Sequence, residues 1–111
     1  MNFIRLALNI SSVSPPTYYQ MTKAKRAYRV LYPECAVCGN QRFLEVHHVK
    51  PVHVYPELAC DPENFITLCD AKNNSCHRWI GHLGDFRNKW NKGIREYALI
   101  SRIMLQHQEP E

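Results

Sequence analysis

No stretch of this chain approaches the roughly 20 apolar residues that a bilayer-spanning helix needs, so no membrane span is expected. No secretory leader is expected either. The opening "MNFIRLALNI" holds Arg5 and Asn9 inside its apolar run, and no clear small-residue cleavage site follows. Internal repeats and low-complexity tracts are absent. Neither sign of charge dominates: 14 Lys and Arg stand against 10 Asp and Glu, for a net charge of +4. That balance leans only weakly toward an anionic partner. Nothing resembles a recognition helix, so base-specific reading of a nucleic acid is not expected from this chain itself. A length of 111 residues predicts one domain with a modest core.

What the chain does have is cysteine, at positions 35, 38, 60, 69 and 76. With neither a leader nor a membrane span expected, the expected location is intracellular and cytoplasmic, where thiols stay reduced. There, paired Cys-x-x-Cys more often means metal than disulfide. Cys35-Ala-Val-Cys38-Gly39 forms one candidate knuckle. Cys69 and Cys76, with six residues between them, form a wider second one. Four thiolates can close a tetrahedral structural Zn2+ site. The polar insert "DAKNNS" can bulge outward without separating the sulfurs. The rival assignment leaves Cys76 spare and makes His77 the fourth ligand. Cys60 has no partner at a useful spacing and reads as a small buried hydrophobe. Short elements bury little by themselves, so metal binding would supply folding free energy here.

Along the chain, residues 1–31 read as an N-terminal arm followed by a basic helix. The arm, up to "SSVSPP", could be a strand, a free arm or a start-site artefact. The helix spans 18–31, with Tyr18, Met21, Tyr28 and Leu31 on one face, and Pro33 ends it. Residues 32–92 read as the core. It comprises the knuckle, a strand over 42–49, a long loop over 51–64 and a second strand over 64–69. A helix capped by Ser75 then begins near Cys76, interrupted by Gly81, Gly84 and Gly93. Residues 93–111 read as a C-terminal helix, clearest over 94–108, and a tail.

Histidine supplies the chemistry. His47 and His48 are adjacent, which suits a site where one ring grips a cation and the other takes a proton. Adjacent strand residues point to opposite faces, so the two can serve one phosphate only if the strand ends or twists there. The order "CAVCG … EVHHVKP … DPENFITLC … SCH" resembles the HNH endonuclease family in its zinc-bearing form, over roughly residues 32–83. The resemblance implies an α+β fold: a ββα-metal (His-Me finger) core with the four-Cys zinc site and flanking helices. It also implies a metal-dependent DNA endonuclease or nickase. By position, His48 would be the general base and Asn64 the residue holding loop and strand. His47 and His77 would be ligands of a catalytic divalent cation such as Mg2+, Mn2+, Ni2+ or Zn2+. The wide second knuckle departs from the family pattern and leaves the placement of His77 open.

His48 needs an acceptor on its other ring nitrogen to fix the tautomer; a backbone carbonyl in the 51–63 loop, pinned by Asn64, is expected. His82 is a further candidate metal ligand. At five residues from His77 it lies about 140° around an ideal helix, so contact requires a bend near Gly81 and Gly84. His53 and His107 read as surface histidines. Trp79, Phe86 and Trp90 read as core. Lys50, Arg78, Arg87 and Lys89 are candidate phosphate contacts. DNA is the expected partner, RNA the alternative, with cleavage specificity low or supplied by a partner protein. A non-catalytic, zinc-stabilised nucleic-acid-binding module is the competing function. It accounts for the cysteines and the basic charge, but not for His47, His48 and Asn64.

Overall fold

The computed structural model describes residues 16–71 and 75–107. The arm before Pro16, residues 72–74 of the polar insert and the tail after His107 lie outside the described residues. The fold is a small α+β arrangement: helix α1 (Tyr18–Leu31), strand β1 (Leu44–His48), strand β2 (Phe65–Cys69) and helix α2 (Ile94–Gln106).

Helix α1 starts where Thr17 and Gln20 form a reciprocal capping box. Thr17 Oγ1 accepts from the Gln20 amide at 3.1 Å, and Gln20 Oε1 accepts from the Thr17 amide at 2.8 Å. The helix has no buried residue. Its docked face is Met21, Ala24, Lys25 and Tyr28, each half-buried. Tyr18 and Leu31, expected on that face, are 81% and 74% exposed. The helix touches the core through its middle, so a stripe drawn from end to end overreaches. Tyr28 anchors it: the hydroxyl donates to the Phe65 carbonyl at 3.0 Å, and the ring meets Phe65 edge-on at 5.4 Å.

The strands pair antiparallel in register Leu44↔Cys69, Val46↔Thr67, His47↔Ile66 and His48↔Phe65. β2 is buried along its whole length, which a short apolar run allows only if both faces are covered. Thr67 Oγ1 donates to the carbonyl of Tyr32, just past α1, at 3.0 Å. Leu68 faces Gly81. β1 is shorter than the expected 42–49. Phe43 sits at φ 55°, outside the strand region, and the Asp70 amide donates to its carbonyl.

The long loop contains two 3-10 turns, Pro56–Leu58 and Pro62–Asn64, each opened by a proline whose missing N–H is harmless at a first helical position. After Cys76 the expected helix shrinks to a π-helical turn, His77–Gly81. Ser75 caps it as foreseen, its Oγ accepting from the Arg78 amide at 3.1 Å. Asn91, buried, ties this turn to α2. Its side-chain amide donates to the Ile80 carbonyl at 2.7 Å, and its Oδ1 accepts from the Gly93 amide at 3.0 Å.

The core gathers Cys35, Val37, Ile66, Leu68, Cys69, Ile94 and Ala98. Two other expectations of burial fail. Cys60 is half-exposed in a groove beside α1. Trp79 and Phe86 are 60% and 45% exposed. Trp90 is half-buried, edge-on to Tyr55 at 5.8 Å.

Candidate functional site

Four sulfurs converge. The Sγ atoms of Cys35, Cys38, Cys69 and Cys76 all lie within 4.8 Å of one another. Cys35 and Cys38 meet because the intervening turn closes on itself: the Gly39 amide donates to the Cys35 carbonyl at 2.9 Å, and the Cys35 amide to the Asn40 carbonyl at 2.8 Å. Gly39 takes φ 78°, a region a side chain disfavours. The Ala36 amide donates to the Thr67 carbonyl at 2.8 Å, laying the knuckle along β2. Cys69 ends β2, and Cys76 precedes the π turn. Arg102 of α2 closes the far side, donating from Nη1 to the Cys35 carbonyl at 3.0 Å. A hydrogen bond from Cys76 holds the Cys35 thiol well below the usual range, and the same contact pushes Cys76 up. Sulfurs sharing protons at this distance are a donor set suited to zinc. Cys76 lies with the other three sulfurs, and His77 lies with the imidazoles instead.

Three imidazoles converge separately. Ligand nitrogens of His47, His77 and His82 all lie within 4.8 Å of one another. The ring centroids are 5.1 Å apart for His47 and His77, 5.0 Å for His47 and His82, and 4.8 Å for His77 and His82. The π turn is the reason. Its i→i+5 pairing sets residues five apart over one another, so the 140° separation of an α-helix does not apply to His77 and His82. Gly81 lets the rings meet: a Cβ there would lie 3.2 Å from His77 Cδ2 and 3.4 Å from His47 Cε1.

The tautomers follow from the acceptors. A carbonyl can only accept, so His82 Nδ1 carries a proton donated to the Asn88 carbonyl at 2.7 Å. Its Nε2 lone pair then faces His77 Nε2 at 3.3 Å. The two nitrogens can be joined by one proton or by one shared cation. His77 Nδ1 is buried with no hydrogen-bond partner, and Asp70 Oδ2 stands 3.6 Å away. A cation on Nε2 would fix the proton on Nδ1, facing that carboxylate, the usual arrangement behind a metal-bound imidazole. The donor set thus fits a divalent ion. Burial, then the neighbouring His77 and His82 rings, push His47 down to about 3. Burial also lowers His77, against the pull of Asp70. Imidazoles kept neutral in this way are ready to ligate.

His48 lies on the other face of β1. Its ring meets Phe65 edge-on at 5.3 Å, and its Nε2 donates to the Ala59 carbonyl at 2.9 Å. The acceptor expected in the 51–63 loop is therefore Ala59, and Nδ1 is left with the lone pair. Burial and the Lys25 charge lower the His48 pKa, opposed by the Ala59 bond. Asn64 pins the loop that carries this carbonyl. Its Oδ1 accepts from the Lys50 amide at 2.7 Å, its Nδ2 donates to the Lys50 and Leu58 carbonyls at 3.0 and 3.3 Å, and its own carbonyl accepts from Val49. β1 ends at His48, so both rings border the strand's end.

The basic candidates are exposed, but they differ. Lys50 lies 5.2 Å over the Tyr55 ring. Arg78 donates from Nε to the Gly84 carbonyl at 3.0 Å. Arg87 is forked on Asp85, at 3.0 Å, so its charge is already matched. Lys89 is exposed. His53 and His107 are surface residues, as expected. The sequence reading missed Asp70 and the Asn88 carbonyl. Asp70 sits inside the polar insert between two cysteines and reads there as a solubilising residue.

Among the described residues no helix is long and apolar enough to cross a membrane. No curated protein and no solved structure matches the chain. The family model described as HNH endonuclease does match, over residues 35–82, a segment that runs from the first knuckle cysteine to the third clustered histidine. Over that segment this chain is similar to the HNH endonuclease family.

Proposed function

We propose that the chain is a metal-dependent DNA endonuclease or nickase, built on a ββα-metal core in which the π turn occupies the helix position. The supporting observation is the division of labour at the end of β1. His48 keeps a free Nδ1 because Nε2 is committed to Ala59, while its neighbour His47 joins His77 and His82 in a three-nitrogen cluster. His48 Nδ1 takes the proton of the attacking water, a contribution of roughly 10²–10⁴-fold in general-base catalysis. Asn64 holds the Ala59 carbonyl in place and so keeps the tautomer. His47, His77 and His82 hold a divalent cation such as Mg2+, Mn2+, Ni2+ or Zn2+. When bound, that cation supplies Lewis acidity and neutralises phosphate charge. Cys35, Cys38, Cys69 and Cys76 hold a structural Zn2+. Lys50, Arg78 and Lys89 face the phosphate backbone; Arg87 does so only by giving up Asp85. The core spans residues 32–92, and the setting is intracellular, where the thiols stay reduced. RNA is the alternative substrate, and cleavage specificity is low or supplied by a partner protein.

Plasmid nicking with each divalent ion tests the reading. His48→Ala should abolish nicking while zinc content and the fold stay unchanged. DNA binding without cleavage under every ion would leave a zinc-stabilised binding module instead.

A further inference from the structure

Trp79 lies in the same π turn as His77, and it is 60% exposed. It is nevertheless held firmly. Gly84, at φ 89°, packs its backbone against the six-membered ring so closely that a Cβ would lie 3.0 Å from Cζ3 and 3.1 Å from Cε3. Arg78 and Gly84 lock this approach with a reciprocal pair: Arg78 Nε donates to the Gly84 carbonyl at 3.0 Å, and the Gly84 amide donates to the Arg78 carbonyl at 2.8 Å. The Arg78 guanidinium lies 5.7 Å from the Trp79 ring centroid and 6.0 Å from that of Phe86. Phe86, 45% exposed, reaches back to His82 at 4.9 Å and His77 at 5.5 Å. A continuous run of rings and one guanidinium therefore leads from the candidate cation site to an open indole.

We infer that Trp79, with Arg78 and Phe86, is a stacking platform for an unpaired nucleobase next to the phosphate that the histidine cluster addresses. The inference rests on the nuclease reading above and names its substrate class: single-stranded or locally unpaired nucleic acid. A flat aromatic face beside a guanidinium is the surface that stacks bases without reading their sequence. A base inside an intact duplex has no free face to offer. The guanidinium and the cation-binding imidazoles beside the indole favour a polyanion over an apolar protein partner.

The test isolates Trp79. The chain has two tryptophans, and Trp90→Phe leaves Trp79 as the sole indole emitter. The zinc-loaded protein, without added divalent ion, is titrated with a short single-stranded oligodeoxyadenylate and with a hairpin duplex of equal length. Quenching of Trp79 by the single strand, several-fold weaker with the duplex, is expected. Fluorescence anisotropy of a labelled strand should show Trp79→Ala binding about 5- to 150-fold more weakly. Trp79→Phe, which keeps an aromatic face, should stay within about threefold of wild type. If single strands bind with no change in Trp79 emission and Trp79→Ala binds as wild type does, the platform is wrong, while nicking activity would leave the nuclease reading standing. Quenching with no cleavage under any divalent ion would support the platform and end the nuclease reading. Absence of binding to any oligonucleotide would overturn the platform.

Discussion

His77 Nδ1 has no hydrogen-bond partner, and the carboxylate nearest to it is held by a neighbour: Ser75 Oγ donates to Asp70 Oδ1 at 2.9 Å, leaving Oδ2 directed at the imidazole. Asp70→Ala should therefore weaken divalent-cation affinity about 10- to 100-fold. Calorimetric titration with Ni2+ measures this, and zinc content should not change. Unaltered affinity would remove Asp70 from any role behind His77. Burial of His47 makes a second prediction. Its folded pKa is pushed down to about 3 from an ordinary 6.5, so between those values the unfolded chain binds the extra proton. Stability should be full above pH 6.5 and decline as pH falls toward 3. Thermal midpoints of wild type and His47→Gln, measured from pH 7.5 downward, should converge as acid is added. At this scale the sequence was informative where chemistry restricts the residue type. Paired imidazoles and the need of His48 for a carbonyl were both legible. Which carbonyl was not, because Ala59 offers only backbone.

At the scale of elements, the π turn decides the candidate site. A helical reading spaces residues at 100° steps and sends His82 away from His77; one extra residue in the turn brings them together. Such a bulge leaves no compositional mark, so the convergence could not be read from periodicity. Gly81 is where the turn is most sensitive. A methyl there would press on His77 Cδ2, Leu68 Cδ1 and His47 Cε1 at 3.2, 3.3 and 3.4 Å. Gly81→Ala should reduce nicking at limiting cation and move the cation dependence to higher concentration, with saturating cation restoring part of the rate. An unchanged cation dependence would show that the rings give way freely. Helix α1 offers a contrast. Its span was legible from its apolar residues, while the Thr17–Gln20 capping box emerged only in the structure; Thr17→Ala should cost about 1 kcal/mol of stability by chemical denaturation. Its docked face was misjudged because only the middle of the helix finds a partner.

Across the whole molecule, the described core is thin. Its fully buried large side chains number few beyond Phe65, Leu68, Ile94 and Val46, with Cys35 and Cys69 completing the set. Two of these six are sulfur donors, so losing a metal held there would disturb ligands and core together. Chelation should abolish the cooperative thermal transition, and circular dichroism would report it; a transition surviving with zinc absent by elemental analysis would refute a structural role for the metal. The order of strand, long loop, strand and helix was legible from pattern, since short apolar runs between prolines leave few alternatives, and the α+β class followed from the family resemblance. The sulfur cluster was legible from the first knuckle, and only geometry could show that a six-residue spacer still closes it. Arg102 has the longest reach in sequence of any side chain at that cluster, donating to the Cys35 carbonyl from 67 positions downstream. During synthesis the first two thiols leave the ribosome long before this guanidinium does. A growing chain stalled ahead of residue 102 would hold all four sulfurs and still lack the clasp that seats them, so an early-stalled chain should surrender zinc to a competing chelator faster than the released protein does.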